Sequence, residues 1–163
     1  MHHTQSRFAN CAHSDCDQPT VGKSKYCRAH RALARTAFKA KCEADKAERT
    51  ERYVQFRILA DKAYEAGIKA GQDAVPTPMY IKGYEPIVDG MCGFAWVTVH
   101  PGNCSFAIWA KKNAGYAKAY RGGVQYWVHE FNQSVARKEA FARAYADVLR
   151  TAGIEAVAGS RLD

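Results

Sequence analysis

Four side chains near the start of this chain have types and spacing that could do chemistry. Cys11, Cys16, Cys27 and His30 read C-x4-C-x10-C-x2-H, two close pairs separated by a polar loop. Four soft sulfur and nitrogen donors brought together in this way suit a tetrahedral zinc ion. Between the pairs, Pro19 and Gly22 favour a turn, and nothing in the stretch 17–25 can form a core. A segment this small and polar needs a staple, and a bound metal supplies one. His2, His3 and His13 lie close enough in the chain to compete with His30, so the fourth ligand stays open at this level.

The elements that must position these residues follow from composition. With 163 residues, 47% of them hydrophobic, the chain can bury one real core and carry a small appendage. Residues 1–10 carry no apolar run, and no stretch approaches eighteen apolar residues, so neither a secretory signal nor a membrane partner is expected. Six cysteines would allow three disulfides, but four fall within residues 1–42, and Cys42 stands alone in a charged stretch. A reducing compartment fits that distribution better. The net charge of +8 is uneven: residues 1–60 hold 12 Lys and Arg against 6 Asp and Glu, and residues 61–163 hold 12 against 10. Excess positive charge at the amino-terminal end points to a polyanionic partner, DNA or RNA.

Three regions separate: a zinc-knuckle arm over 1–30, a long helix over 31–74 and a compact domain over 75–163. Between Ala29 and Gly71 there is no proline, and alanine and charged residues dominate, which is a helical composition. The first half of that helix is nearly all polar. The second half places Tyr53, Phe56, Ala60, Ala63, Tyr64 and Ile68 on one face, which should dock on the domain, while Gly67 and Gly71 loosen its end. Strands are expected at 79–81, 94–99, 124–129 and 154–157, with a short helix over 105–112 capped by Asn103 and a longer one over 134–152. The fold class is therefore α+β, a small sheet packed with two helices. Phe94, Trp96, Phe141, Tyr145, Val148 and Leu149 are its expected core.

No acidic residue occurs between Asp89 and Glu130, and Lys111, Lys112, Lys118 and Arg121 there interleave with Tyr116 and Tyr120. Cations can meet phosphates while rings stack on bases, so these six join Lys23, Lys25, Arg28, Arg31 and Arg35 as candidate nucleic-acid contacts. Trp96, Trp109 and Trp127 are assigned to the core, as large aromatics usually are. Cys92, with His100 and His129 in neighbouring strands, would be the nucleophile of a thiol enzyme, although no spacing marks a catalytic order. Ser134 and Lys138 read as a helix cap followed by a surface lysine beside Glu139.

The stretch Asp89-Gly90-Met91-Cys92-Gly93-Phe94-Ala95-Trp96-Val97, the segments Gly122-Gly123-Val124 and Trp127-Val128, Gln133-Ser134 with Arg137-Lys138-Glu139-Ala140, and the ending Gly159-Ser160-Arg161-Leu162-Asp163 together resemble a family of small tailed-bacteriophage proteins without an assigned activity. The arm from Cys11 to His30 is separately similar to zinc knuckles beside HNH-type endonuclease cores and on small DNA-binding proteins. The Asp-His and Asn/His constellation of such a nuclease is missing here. The first resemblance implies host cytoplasm or virion as the setting. The expected function is a non-enzymatic, zinc-containing accessory protein that binds nucleic acid. The alternatives are a factor that docks on a host or virion protein through the helix, and a thiol enzyme built on Cys92.

Overall fold

The computed structural model describes residues 10–20 and 22–163. In chain order the elements are α1 (Arg28–Asp73), β1 (Gly93–His100), α2 (Ser105–Asn113), β2 (Ala117–Lys118), β3 (Val124–Trp127), α3 (Val135–Thr151) and β4 (Glu155–Leu162). The fold is α+β with an amino-terminal cysteine cluster. The chain divides into two compact units, Met1–Glu51 and Arg52–Asp163, and α1 runs through the boundary.

Helix α1 is 46 residues long because nothing in it interrupts the backbone ladder before the chain reaches Pro76. From Arg31 to Arg52 every side chain is exposed. In the second unit the helix buries Ala60, Ala63, Gly67 and Gly71, at helical spacing and all small. The two glycines do not loosen the helix end as expected. They seat it. A Cβ on Gly67 would lie 2.7 Å from the Phe141 ring, and Gly71 lies against the ring of Phe131. Tyr53, Phe56, Leu59 and Ile68 pack beside this small-residue stripe, and Phe56 meets Phe106 edge to face at a 5.4 Å centroid distance.

The sheet has the order β2-β3-β1-β4, and every neighbouring pair is antiparallel. With its helices the sheet follows a β-α-β-β-α-β chain order, the split β-α-β arrangement. Strand β1 is central and alternates strictly between buried and half-exposed residues. Ala95, Val97 and Val99 face inward onto α3, Phe141 and Leu149, while Phe94, Trp96, Thr98 and His100 point to the opposite face. Phe94 and Trp96 are therefore half-buried on the outer side and are not core residues. Val148 is also half-buried, while Phe141, Tyr145 and Leu149 are buried as expected.

Several local expectations shift. Residues 79–81 form no strand: Met79 makes a single antiparallel bridge with Ile87, its amide donating to the Ile87 carbonyl at 3.0 Å. Helix α2 is capped by the thiol of Cys104, which accepts from the Ala107 amide at 3.4 Å, and not by Asn103. Strand β4 extends to Leu162 because it pairs with the whole of β1, although its small and polar residues show no alternation. Lys138, expected at the surface, is buried: its ammonium donates to the Gly93 carbonyl at 3.3 Å and lies 5.8 Å from the Phe94 ring centre. Among the described residues, no helix is long and apolar enough to cross a membrane.

Candidate metal centre

The backbone of the arm folds the two ligand pairs together. The Cys11 amide donates to the Gln18 carbonyl at 3.0 Å and the Ala12 amide to the Lys25 carbonyl at 2.9 Å, while Asn10 bridges Pro19. These bonds close the loop so that Cys27 returns beside Cys11, and the Cys27 amide donates to the Cys11 sulfur at 3.3 Å. Helix α1 begins at the next residue, and its first turn carries His30 back onto the cysteines.

The donor atoms of Cys11, Cys16, Cys27 and His30 all lie within 4.8 Å of one another, close enough to hold a metal ion. The His30 Nδ1 is 3.4 Å from the Cys11 sulfur and 3.5 Å from the Cys27 sulfur, and the sulfurs of Cys16 and Cys27 are 3.8 Å apart. Cys11 and Cys27 are buried. His13 is not in the cluster. It is exposed and stacks its ring on His30 at a 4.1 Å centroid distance, which fixes the plane of the ligand ring. His2 and His3 lie outside the described residues.

The electrostatics of the cluster ask for a cation. Burial raises the Cys11 thiol, but the backbone of Cys27 and then His13, with the His30 and Cys16 side chains, pull it from 9.0 down to about 6. For Cys16 the Gln18 backbone acts to lower the pKa, yet burial and the neighbouring sulfurs of Cys27 and Cys11 outweigh it, and the thiol is raised. One thiolate is favoured and a second beside it is opposed, the behaviour of like charges sharing a site. A bound cation removes that opposition.

The candidate nucleic-acid residues fall into separate places. Lys23, Lys25, Arg28, Arg31 and Arg35 are exposed. Arg28, Arg31 and Arg35 follow one face of the start of α1, where with Ala32 and Thr36 they line a shallow recess of about 650 Å³. No acidic residue occupies the first turn of α1, so the positive end of the helix dipole adds to these charges. Asp15 and Asp17, also exposed on the arm, temper the field. In the second unit, Lys111 and Lys112 lie in the last turn of α2, where they complement the negative helix end. Lys118 is exposed on the edge strand β2. Tyr120 and Arg121, in the turn after it, are exposed and line a different recess on the outer face of the sheet.

Tyr116 is corrected outright. It is 4% exposed, packed edge to face on Phe106, and its burial pushes the phenol far above the ordinary range. It can reach no ligand. Trp109 is buried at 3% exposure, but Trp96 and Trp127, assigned to the core with it, are half-exposed. Cys92 and His100 flank opposite ends of β1, about 26 Å apart at the strand rise per residue. The Cys92 thiol is free and exposed, and its backbone bridges Ser134.

Comparison of the chain with protein-family models, with curated proteins and with solved structures returns no match.

Proposed function

We propose that the Cys3His cluster holds a structural zinc ion and that the arm it staples, with the start of α1, binds the phosphates of nucleic acid without catalysis. The observation that carries this reading is the direct continuity of the two features. The last ligand, His30, sits in the first turn of α1, and Arg28, Arg31 and Arg35 line the exposed face of its first two turns. The zinc assignment has a geometric support. A tetrahedron with ordinary zinc bonds has sulfur–sulfur edges of about 3.8 Å and sulfur–nitrogen edges of about 3.5 Å. The chain shows 3.8 Å, 3.4 Å and 3.5 Å for the edges in contact. Four protein ligands leave no open coordination position, so zinc here would supply a crosslink and not a Lewis acid.

Point charges on the arm and on the first turns of α1 meet phosphates but do not read bases, so binding should be insensitive to sequence. Five such contacts imply a slope of about −4.5 in log affinity against log salt, or roughly a five-hundredfold loss between ~50 and ~200 mM salt. Replacing Lys23, Lys25, Arg28, Arg31 and Arg35 together by alanine should flatten that slope, as fluorescence anisotropy on a labelled duplex would record. Salt-independent binding, or none at low salt, would sink the proposal. The resemblance of the carboxy-terminal half to tailed-phage proteins supports a phage setting for this activity, in host cytoplasm or virion. A second reading, docking of a host or virion protein on α1, draws on Leu33 and Phe38, apolar side chains left 64% and 70% exposed on the same polar stretch.

A further inference from the structure

Among the described residues of the second unit, the helices cover one face of the four-stranded sheet. On the other, register sets Trp96 of β1 directly opposite Trp127 of β3 and Gly159 of β4. The two indoles lie with ring centroids 5.1 Å apart at 45°, and Phe94 meets Trp127 edge to face at 6.2 Å. Gly159 is what allows this layout. A Cβ at that position would stand 2.6 Å from the Trp96 indole nitrogen and 2.8 Å from its ring carbon, so only a glycine lets the ring lie down across β4. The indoles form the floor of an open recess of about 600 Å³. Arg121 stands on its rim with the fully exposed Tyr120, and Arg161 rises from β4, its guanidinium 5.2 Å from the Phe94 ring centre. Thr98 and Gln125, paired across the strands, add hydrogen-bonding groups to the floor. No Asp or Glu among the described residues lines the recess, and Glu155 lies beyond its end, opposite His100.

From this arrangement we infer that the outer face of the sheet is a binding site for unpaired nucleic-acid strands, with Trp96 and Trp127 as stacking platforms and Arg121 and Arg161 as phosphate contacts. The two indoles, both half-exposed, leave a contiguous aromatic surface open to water, and such a surface marks a binding site. Every base has a π-face that can cover them, and stacking of this kind tolerates any sequence. Aromatic rings on the central strands of an open sheet, flanked by cations, are a general device for splayed single strands. A duplex offers no exposed base face, so the site selects for unpaired strands where the arm does not. The proposal deepens the nucleic-acid reading by naming its ligand class, yet it rests on residues of the second unit alone.

The test uses the full-length chain, titrated with labelled oligo(dT), oligo(U) and a DNA duplex at low salt. Tryptophan emission should be quenched by both single strands, because Trp96 and Trp127 can be covered while Trp109 is buried. Trp127→Ala should weaken single-strand affinity roughly tenfold, Trp127→Phe much less, and neither should change duplex affinity. The pair Arg121→Glu with Arg161→Glu touches only exposed side chains and should weaken the same binding if Trp127→Ala fails to fold. The five-cation arm variant should lose duplex affinity and keep the quenching. A preference for oligo(U) or for oligo(dT) would name the natural strand, and either supports the site. Unchanged single-strand affinity in both the Trp127→Ala and the double-Glu variants, or single-strand binding without quenching, would overturn it. Either result leaves the arm reading standing, and an arm variant that keeps full duplex affinity would overturn that reading alone.

Discussion

At the scale of single residues, Cys27 does the most work in the arm. Its amide donates to the Cys11 sulfur, its own sulfur lies 3.8 Å from that of Cys16, and its carbonyl accepts from the Arg31 amide at 2.9 Å to start α1. Cys27→Ser keeps the backbone bonds and removes one soft donor. The expected outcome is loss of stoichiometric zinc by elemental analysis, because three remaining ligands bind far more weakly than four. A Cys27→Ser protein that still carries one zinc per chain would mean that the cluster is not the site. His13→Ala, which removes only the stacked ring, should lower zinc affinity without abolishing binding.

At the scale of elements, the docking of α1 in the second unit depends on the absence of side chains. In an exposed helix, replacing glycine by alanine stabilises by up to about 1 kcal/mol. At Gly67 the new methyl would meet the Phe141 ring at 2.7 Å, and Phe141 is fully buried with no room to retreat. Overpacking of this kind costs about 1–3 kcal/mol and outweighs the propensity gain. Gly67→Ala should therefore destabilise the protein in denaturant unfolding, by up to about 2 kcal/mol net. A stabilised variant would show that the helix does not press on that ring. The sequence alone points the other way, because a Gly near a helix end resembles a terminator until its neighbour is known.

At the scale of the whole molecule, two sources of stability serve two units. Among its described residues the first buries no apolar side chain other than Cys11 and Cys27, whereas the second holds the aromatic and aliphatic core around Phe106, Phe141 and Leu149. Removing the metal should therefore disorder the arm and leave the second unit folded. Chelation is expected to abolish protected amides in residues 10–30 by hydrogen exchange. The near-ultraviolet dichroism of the packed rings around Phe106, Tyr126 and Phe141 should not change. Loss of both signals together would show that the arm supports the core.

The sequence by itself determined the features whose causes are local. The ligands of the cluster sit at short spacing on a loop with few conformations open to it, and α1 follows from a long run of helix-forming residues without a breaker. The aromatic and β-branched residues of 94–99 likewise mark a strand, whose side chains must alternate between two faces. Tertiary structure decided which half is covered. Trp96, Trp109 and Trp127 are one residue type, yet Trp109 lies on the buried side of α2 while the other two lie on the sheet face that α3 leaves open. Tyr116 went the other way, drawn under Phe106 from a stretch that reads as a solvated loop. Strand β4 carries no alternating pattern and owes its length to its partner β1, while β2, two residues long, exists only because β3 is beside it. Burial is a property of the neighbour across the gap, and that neighbour is distant in the chain.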